Sequence, residues 1–219
     1  MKRGWKRVVL GHLLATPVAA LLLGGCTSSL LPQPQAAPAL FALSSEDAAP
    51  AAPAPPPAGG PAAAAPALVL NLPRASPGYD STQIVYVLRP LEIEYFARSR
   101  WVDTPSSMLA PMMVRAIERS GAFHAVLGAP TAASAQLRLE TELVRLQQEF
   151  FATRPSQAHL TLRATLVDAA SRQVIARQEF DARVAAPTDD PYGGVVAAQG
   201  APRRVLAQLA AFCAGAVRP

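Results

Sequence analysis

Three stretches of the chain alternate apolar and polar residues with a period of two. Leu137, Leu139, Thr141 and Leu143 interleave with Gln136, Arg138, Glu140 and Glu142. Leu160, Leu162, Ala164 and Leu166 interleave with His159, Thr161, Arg163 and Thr165. Val174, Ala176, Gln178, Phe180, Ala182 and Val184 do the same with Arg177, Glu179, Asp181 and Arg183. Successive side chains of a strand leave on opposite faces, so each pattern predicts a strand with one buried face. His159 falls on the solvent-facing phase. The first stretch also offers Leu139, Leu143, Leu146 and Phe150 at helical spacing, which leaves a helix open there. Asp168-Ala169-Ala170-Ser171-Arg172 is a short joint, so the last two strands form an antiparallel hairpin.

Shorter β-prone runs come earlier. Leu68–Leu72 ends at Pro73, Gln83–Leu88 follows the turn Ser76–Asp80, and Leu91–Phe96 continues it past Arg89-Pro90. Phe123–Leu127 is a small strand. Thr104 or Ser106 caps a helix running to Ser120 with Gly121 as its stop, and Met108, Leu109, Met112, Met113, Ala116 and Ile117 form its apolar side. A closing helix starts near Tyr192 with Val205, Leu206, Leu209, Phe212 and Ala216 on one face; Gly200 and Pro202 should kink it or delay its start. This inventory predicts an α+β fold, an antiparallel or mixed β-sheet covered on one face by two amphipathic helices.

Upstream the pattern is different. Residues 44–66 are almost wholly Ala, Pro and Gly, which cannot build a core and predict an extended linker. Before it, Ala39–Leu43 is apolar and of strand length, either a strand of the domain or part of the linker. At the start, Lys2, Arg3, Lys6 and Arg7 precede the sixteen-residue run Val8–Leu23, interrupted by His12, Thr16 and Pro17. Such a run is shorter than the ~20 residues of a membrane span and reads as a secretory leader. The chain therefore divides into a leader at 1–25, an N-terminal stretch and linker at 26–66, and a domain at 67–219.

Charge narrows the function classes. The net charge is +5 over 219 residues, yet four of the cations lie in the leader, leaving 16 basic and 15 acidic groups after it. A nearly balanced chain gives no electrostatic ground for nucleic-acid binding. Cys213 lies on the apolar stripe of the closing helix and reads as a small core residue. His124 and His159 stand in no metal-ligand spacing, no nucleophile or phosphate-loop motif is present, and Asp189-Asp190-Pro191 reads as a helix start. No enzymatic activity, cofactor or metal is expected.

Leu23-Gly24-Gly25-Cys26 resembles the lipobox of bacterial lipoproteins, which implies cleavage before Cys26 and its lipidation. Further on come Phe41-Ala42-Leu43-Ser44, Leu70-Asn71-Leu72-Pro73, Gly78-Tyr79-Asp80 leading to Gln83-Ile84-Val85-Tyr86, and Tyr95-Phe96-Ala97-Arg98-Ser99-Arg100-Trp101. Their order and spacing resemble the ABC-type transport auxiliary lipoprotein component family, with a longer 44–66 stretch than is usual there. The resemblance implies a periplasm-facing, non-catalytic accessory to an ABC lipid transport system whose partners are an MCE-type substrate-binding protein and its permease and ATPase. Thr27 after Cys26 resembles the signal for outer-membrane delivery. Tyr95, Phe96, Arg100 and Trp101 form a partner surface, or Trp101 plugs the core; a homo-oligomer is left open. The second reading is an outer-membrane assembly or cell-wall-synthase-activating lipoprotein, which would share the anchor, linker and small domain; a lipid-modified enzyme is the third.

Overall fold

The computed structural model describes residues 36–44, 65–151 and 155–217. The leader, Cys26 and most of the Ala/Pro-rich stretch fall outside these residues. Within them the fold is α+β: a mixed sheet of nine strands and two helices.

The sheet is organised around one strand. β7 (Leu137–Glu149) pairs antiparallel along its length with β8 (Gln157–Asp168), which pairs antiparallel with β9 (Val174–Ala185). The opposite edge of β7 takes up three shorter strands in succession, all parallel to it: β2 (Ala67–Leu70), β3 (Arg74–Ala75) and β4 (Gln83–Val87). β6 (Ala125–Gly128) pairs parallel with β2. β5 (Glu94–Trp101) returns antiparallel to β4, and β1 (Ala39–Phe41) pairs parallel with β5. The Ala39–Leu43 stretch is thus held by the sheet and beyond it. Leu43 is buried, Gln199 donates to the Ala42 carbonyl (2.6 Å), and the Ser44 amide donates back to Gln199 (2.9 Å).

The helical signal inside β7 has a physical origin. The register with β8 slips between Leu143 and Arg145, a bulge that places one extra residue on β7. Inward positions therefore change from 137, 139, 141 and 143 to 146 and 148, and a three-residue step imitates a helical one. The same slip hid the second half of the strand.

Helix α1 (Pro105–Glu118) starts at Thr104, whose hydroxyl accepts from the Ser107 amide (3.3 Å), and ends before Gly121 at φ 65°. Helix α2 (Pro191–Ala216) is capped by Asp190, whose carboxylate accepts from the Gly193 amide (2.7 Å). It runs through Gly200 and Pro202 without a delayed start. α2 packs on β8, β9 and α1, and α1 packs also on β6. The core gathers Leu139, Leu143, Leu160, Leu162 and Leu166 against Val205 and Leu209, each at most 1% exposed. Phe180 meets Phe212 edge-on at 5.7 Å.

One early strand is corrected. The Leu91–Phe96 run does not continue the preceding strand: Tyr86 faces Glu94 and Val85 faces Tyr95 across an antiparallel pair, so Arg89-Pro90 lies in the turn of a hairpin. Pro90 has no amide hydrogen to give to a ladder, which suits a turn better than a strand.

Candidate functional site

The bulge and the alternation give β7, β8 and β9 a second face that is largely polar. On β8 it presents His159, Thr161, Arg163 and Thr165. Cross-strand neighbours are Gln147 and Arg183 for His159, Arg145 and Asp181 for Thr161, Glu142 and Glu179 for Arg163, and Glu140 and Arg177 for Thr165. Arg163 bonds Glu142 (2.7 Å) on one side and Glu179 (2.8 Å) on the other, tying three strands with one guanidinium. These two acids are what raise the Arg163 pKa, the Glu179 hydrogen bond most. A shallow concavity of about 410 Å³ opens here between Arg74, Glu140, Glu142, Arg163, Thr165 and Arg177.

At the other end of this face His159 is 1% exposed, which corrects its expected solvent position. Its Nδ1 lies 2.6 Å from Glu149 Oε1 and its Nε2 lies 2.5 Å from Asp181 Oδ1. A carboxylate oxygen only accepts, so an imidazolium donating from both nitrogens satisfies the pair. Glu149 accepts further bonds from Gln147 (2.8 Å) and Gln157 (3.1 Å). Burial alone would raise the Glu149 pKa; the bonds from His159, Gln147 and Gln157 and the His159 charge outweigh it and hold the carboxyl at about 2. Asp181 is lowered too, because the His159 and Thr161 hydrogen bonds and the His159 and Arg183 charges overcome its desolvation.

Thr161 Oγ1 lies 3.2 Å from His159 Nε2, so hydroxyl, imidazole and Glu149 stand in the order of a nucleophile, a base and its orienting acid. The geometry does not suit that chemistry. Thr161 is 1% exposed and its hydroxyl donates to Asp181 (2.7 Å), which also holds the imidazole nitrogen a base would use. The cluster pins β7, β8 and β9 together at one end. Among the described residues no group of three or more His, Cys, Asp and Glu is arranged to hold a metal ion. A cleft of about 330 Å³ between the helices has an apolar floor of Met112, Ala116, Leu206 and Ala207 with Arg119 and Arg203 on its rim.

The four aromatic-cluster residues do not form one surface. Trp101 is 3% exposed and belongs to the core, so its place in a partner surface is corrected. Phe96 is partly buried and stacks on Tyr86 at 4.4 Å. Tyr95 is exposed, its hydroxyl near the Gly78 carbonyl (3.4 Å), and Arg100 is half-buried. Neighbours in a strand leave on opposite faces, which separates Tyr95 from Phe96 and Arg100 from Trp101. Cys26, the other singled-out residue, lies outside the described residues. The His159–Glu149–Asp181 cluster was missed because Glu149 lies on the part of β7 beyond the bulge.

No curated protein matches this sequence. Among solved structures, a Xanthomonas campestris protein is similar with a TM-score of 0.63 at 22% identity, over 69% of this chain and 85% of that one. The crystal structure of an uncharacterized protein is similar with a TM-score of 0.59 at 13% identity, over 83% and 99%. Both likenesses speak for the fold. The family model described as ABC-type transport auxiliary lipoprotein component matches residues 48–214, from the linker almost to the end of α2, and the chain belongs to that family.

Proposed function

We propose that the protein is a lipid-anchored, non-catalytic auxiliary component of an MCE-type ABC lipid transport system, held through Cys26 on the periplasmic face of the outer membrane. The observation that carries this reading is the family match over 48–214. Three features support it. Leu23-Gly24-Gly25-Cys26 follows a leader-like run, and Thr27 fits outer-membrane delivery. No helix among the described residues is long and apolar enough to cross a membrane, which gives the acyl anchor its role. The Thr161–His159–Glu149 alignment is buried and cross-bonded, which favours a domain that acts by binding, with ATP hydrolysis left to its partners.

The test is capture from cells. Crosslinking and purification through the intact protein should recover an MCE-type component, and Cys26→Ser should abolish palmitate labelling and release the protein from membranes after leader cleavage. Recovery of cell-wall synthases or outer-membrane assembly factors alone would overturn the transport assignment.

A further inference from the structure

The turn between β4 and β5 exposes three large apolar side chains within six residues. Leu88 is 47% exposed, Leu91 fully exposed at 104% and Ile93 42% exposed. Phe151, 44% exposed, stands beside them, since the preceding amide of Phe150 bonds the Val87 carbonyl (3.0 Å) at the base of the turn. The turn is built rather than slack. Glu92 donates its amide to the Arg89 carbonyl (3.3 Å) and its carboxylate pairs with the Arg89 guanidinium (2.7 Å). That closure holds Leu91 at φ 71°, a left-handed conformation that a leucine adopts only at a cost. Single exposed leucines are ordinary in water. Four large apolar side chains at one end of a sheet, one of them presented on a strained backbone, fit an apolar medium.

We infer that the Leu88–Ile93 turn, with Phe151, inserts into the surface of the phospholipid bilayer that holds the Cys26 anchor. The course of the chain selects this occupant. β1 runs parallel to β5, with Ala39 opposite Ser99 and Phe41 opposite Trp101. The N-terminal end of β1 therefore points to the end of the sheet where β5 begins, which is the end that carries the turn. Cys26 is 13 residues before Ala39, a span of at most about 45 Å. Acylation of Cys26 would hold the domain within that reach of the membrane, with its first strand leading off toward the turn. The turn adds a second contact that sets how the domain stands on it. This inference rests on the lipid-anchor reading for its geometry, while insertion by the turn can be measured without the anchor.

The experiment uses the full mature chain with Cys26→Ser, floated with vesicles of phosphatidylethanolamine and phosphatidylglycerol over rising lipid. Burying one leucine side chain is worth about a tenfold gain in partition, so Leu88→Asp with Leu91→Asp should lower the partition coefficient at least tenfold. Leu91→Gly is the second variant. It removes the side chain and relieves the left-handed strain, so it should fold at least as stably as the parent and still bind vesicles several-fold more weakly. Equal partition of parent and both variants overturns the inference. So does a turn-dependent dimer or larger species in the absence of lipid, which would assign the turn to a second copy. Palmitate labelling of the doubly substituted chain with Cys26 intact should be unchanged; loss of labelling in the unsubstituted chain would instead refute the anchor and leave the vesicle result standing.

Discussion

Acid should unfold this domain partly through one carboxylate. Glu149 is 4% exposed, bonds His159, Gln147 and Gln157, and titrates at about 2 in place of 4.5. A carboxyl whose pKa is depressed by folding contributes stability that is complete above its unfolded pKa and lost as pH falls toward the folded one. The window is therefore pH 4.5 to about 2. The difference corresponds to ~3 kcal/mol. Glu149→Gln keeps the size and an accepting oxygen but removes the charge facing His159. At pH 6 to 7 it should cost about 2–3 kcal/mol, or roughly 5–10 °C in Tm for a domain of this size. Urea unfolding followed by circular dichroism, on the mature chain with Cys26→Ser, gives both stabilities across pH. The gap between the two proteins should close as pH drops from 4.5 to 2, because the parent then protonates the group the variant lacks. A gap below about 1 kcal/mol at neutral pH, or one that stays constant down to pH 2, would refute the reasoning.

Two further outcomes follow from burial. Trp101→Ala should cost about 3–5 kcal/mol in urea unfolding, because the indole is 3% exposed in the core; an unchanged midpoint with weakened capture of the transport partner would restore it to a surface. The Cys213 thiol is fully buried and pushed up to about 12, so Ellman's reagent at pH 8 should label it only after unfolding, and rapid labelling of the native protein would contradict its place on the buried face of α2.

The parts of the fold legible in the sequence were those where one rule acted alone. β8 and β9 alternate cleanly and are joined by a turn that Asp168 closes with bonds from Ser171 and Ala170, so their pairing followed from pattern. α1 and its glycine stop followed in the same way. β7 mixed two phases across its bulge, and Leu146, Gln148 and Glu149 could not be assigned until the register was known. The parallel seating of β2, β3 and β4 along one edge of β7 is set by tertiary packing and leaves no local signature. The site fared likewise. His159 sits on the polar phase of its strand, and that phase ordinarily meets water; its partners there are two acids, 10 and 22 residues away in sequence, that strand pairing brings beside it. Trp101 gave an apolar signal equally suited to core or contact, and only the sheet decides.

The two exposed surfaces of the sheet differ in what they have left to offer a partner. On the polar face Arg163 is shared by Glu142 and Glu179, Arg183 pairs with Asp181 at 2.8 Å, and Arg74 lies 3.9 Å from Glu140. Such exposed pairs contribute ~0–1 kcal/mol each, and a partner covering them would have to desolvate charges that already have counterparts. The face therefore serves alternation and register first. The Leu88–Ile93 turn is the reverse case: beside its Arg89–Glu92 pair it leaves Leu88, Leu91 and Ile93 uncovered, and it is the burial of these side chains that is favourable there. The turn lies at the ends of β4 and β5, whereas the charged face runs along the length of β7, β8 and β9. Contact with a bilayer through the strand ends leaves the charged face open, and membrane contact and partner contact need not compete for one surface.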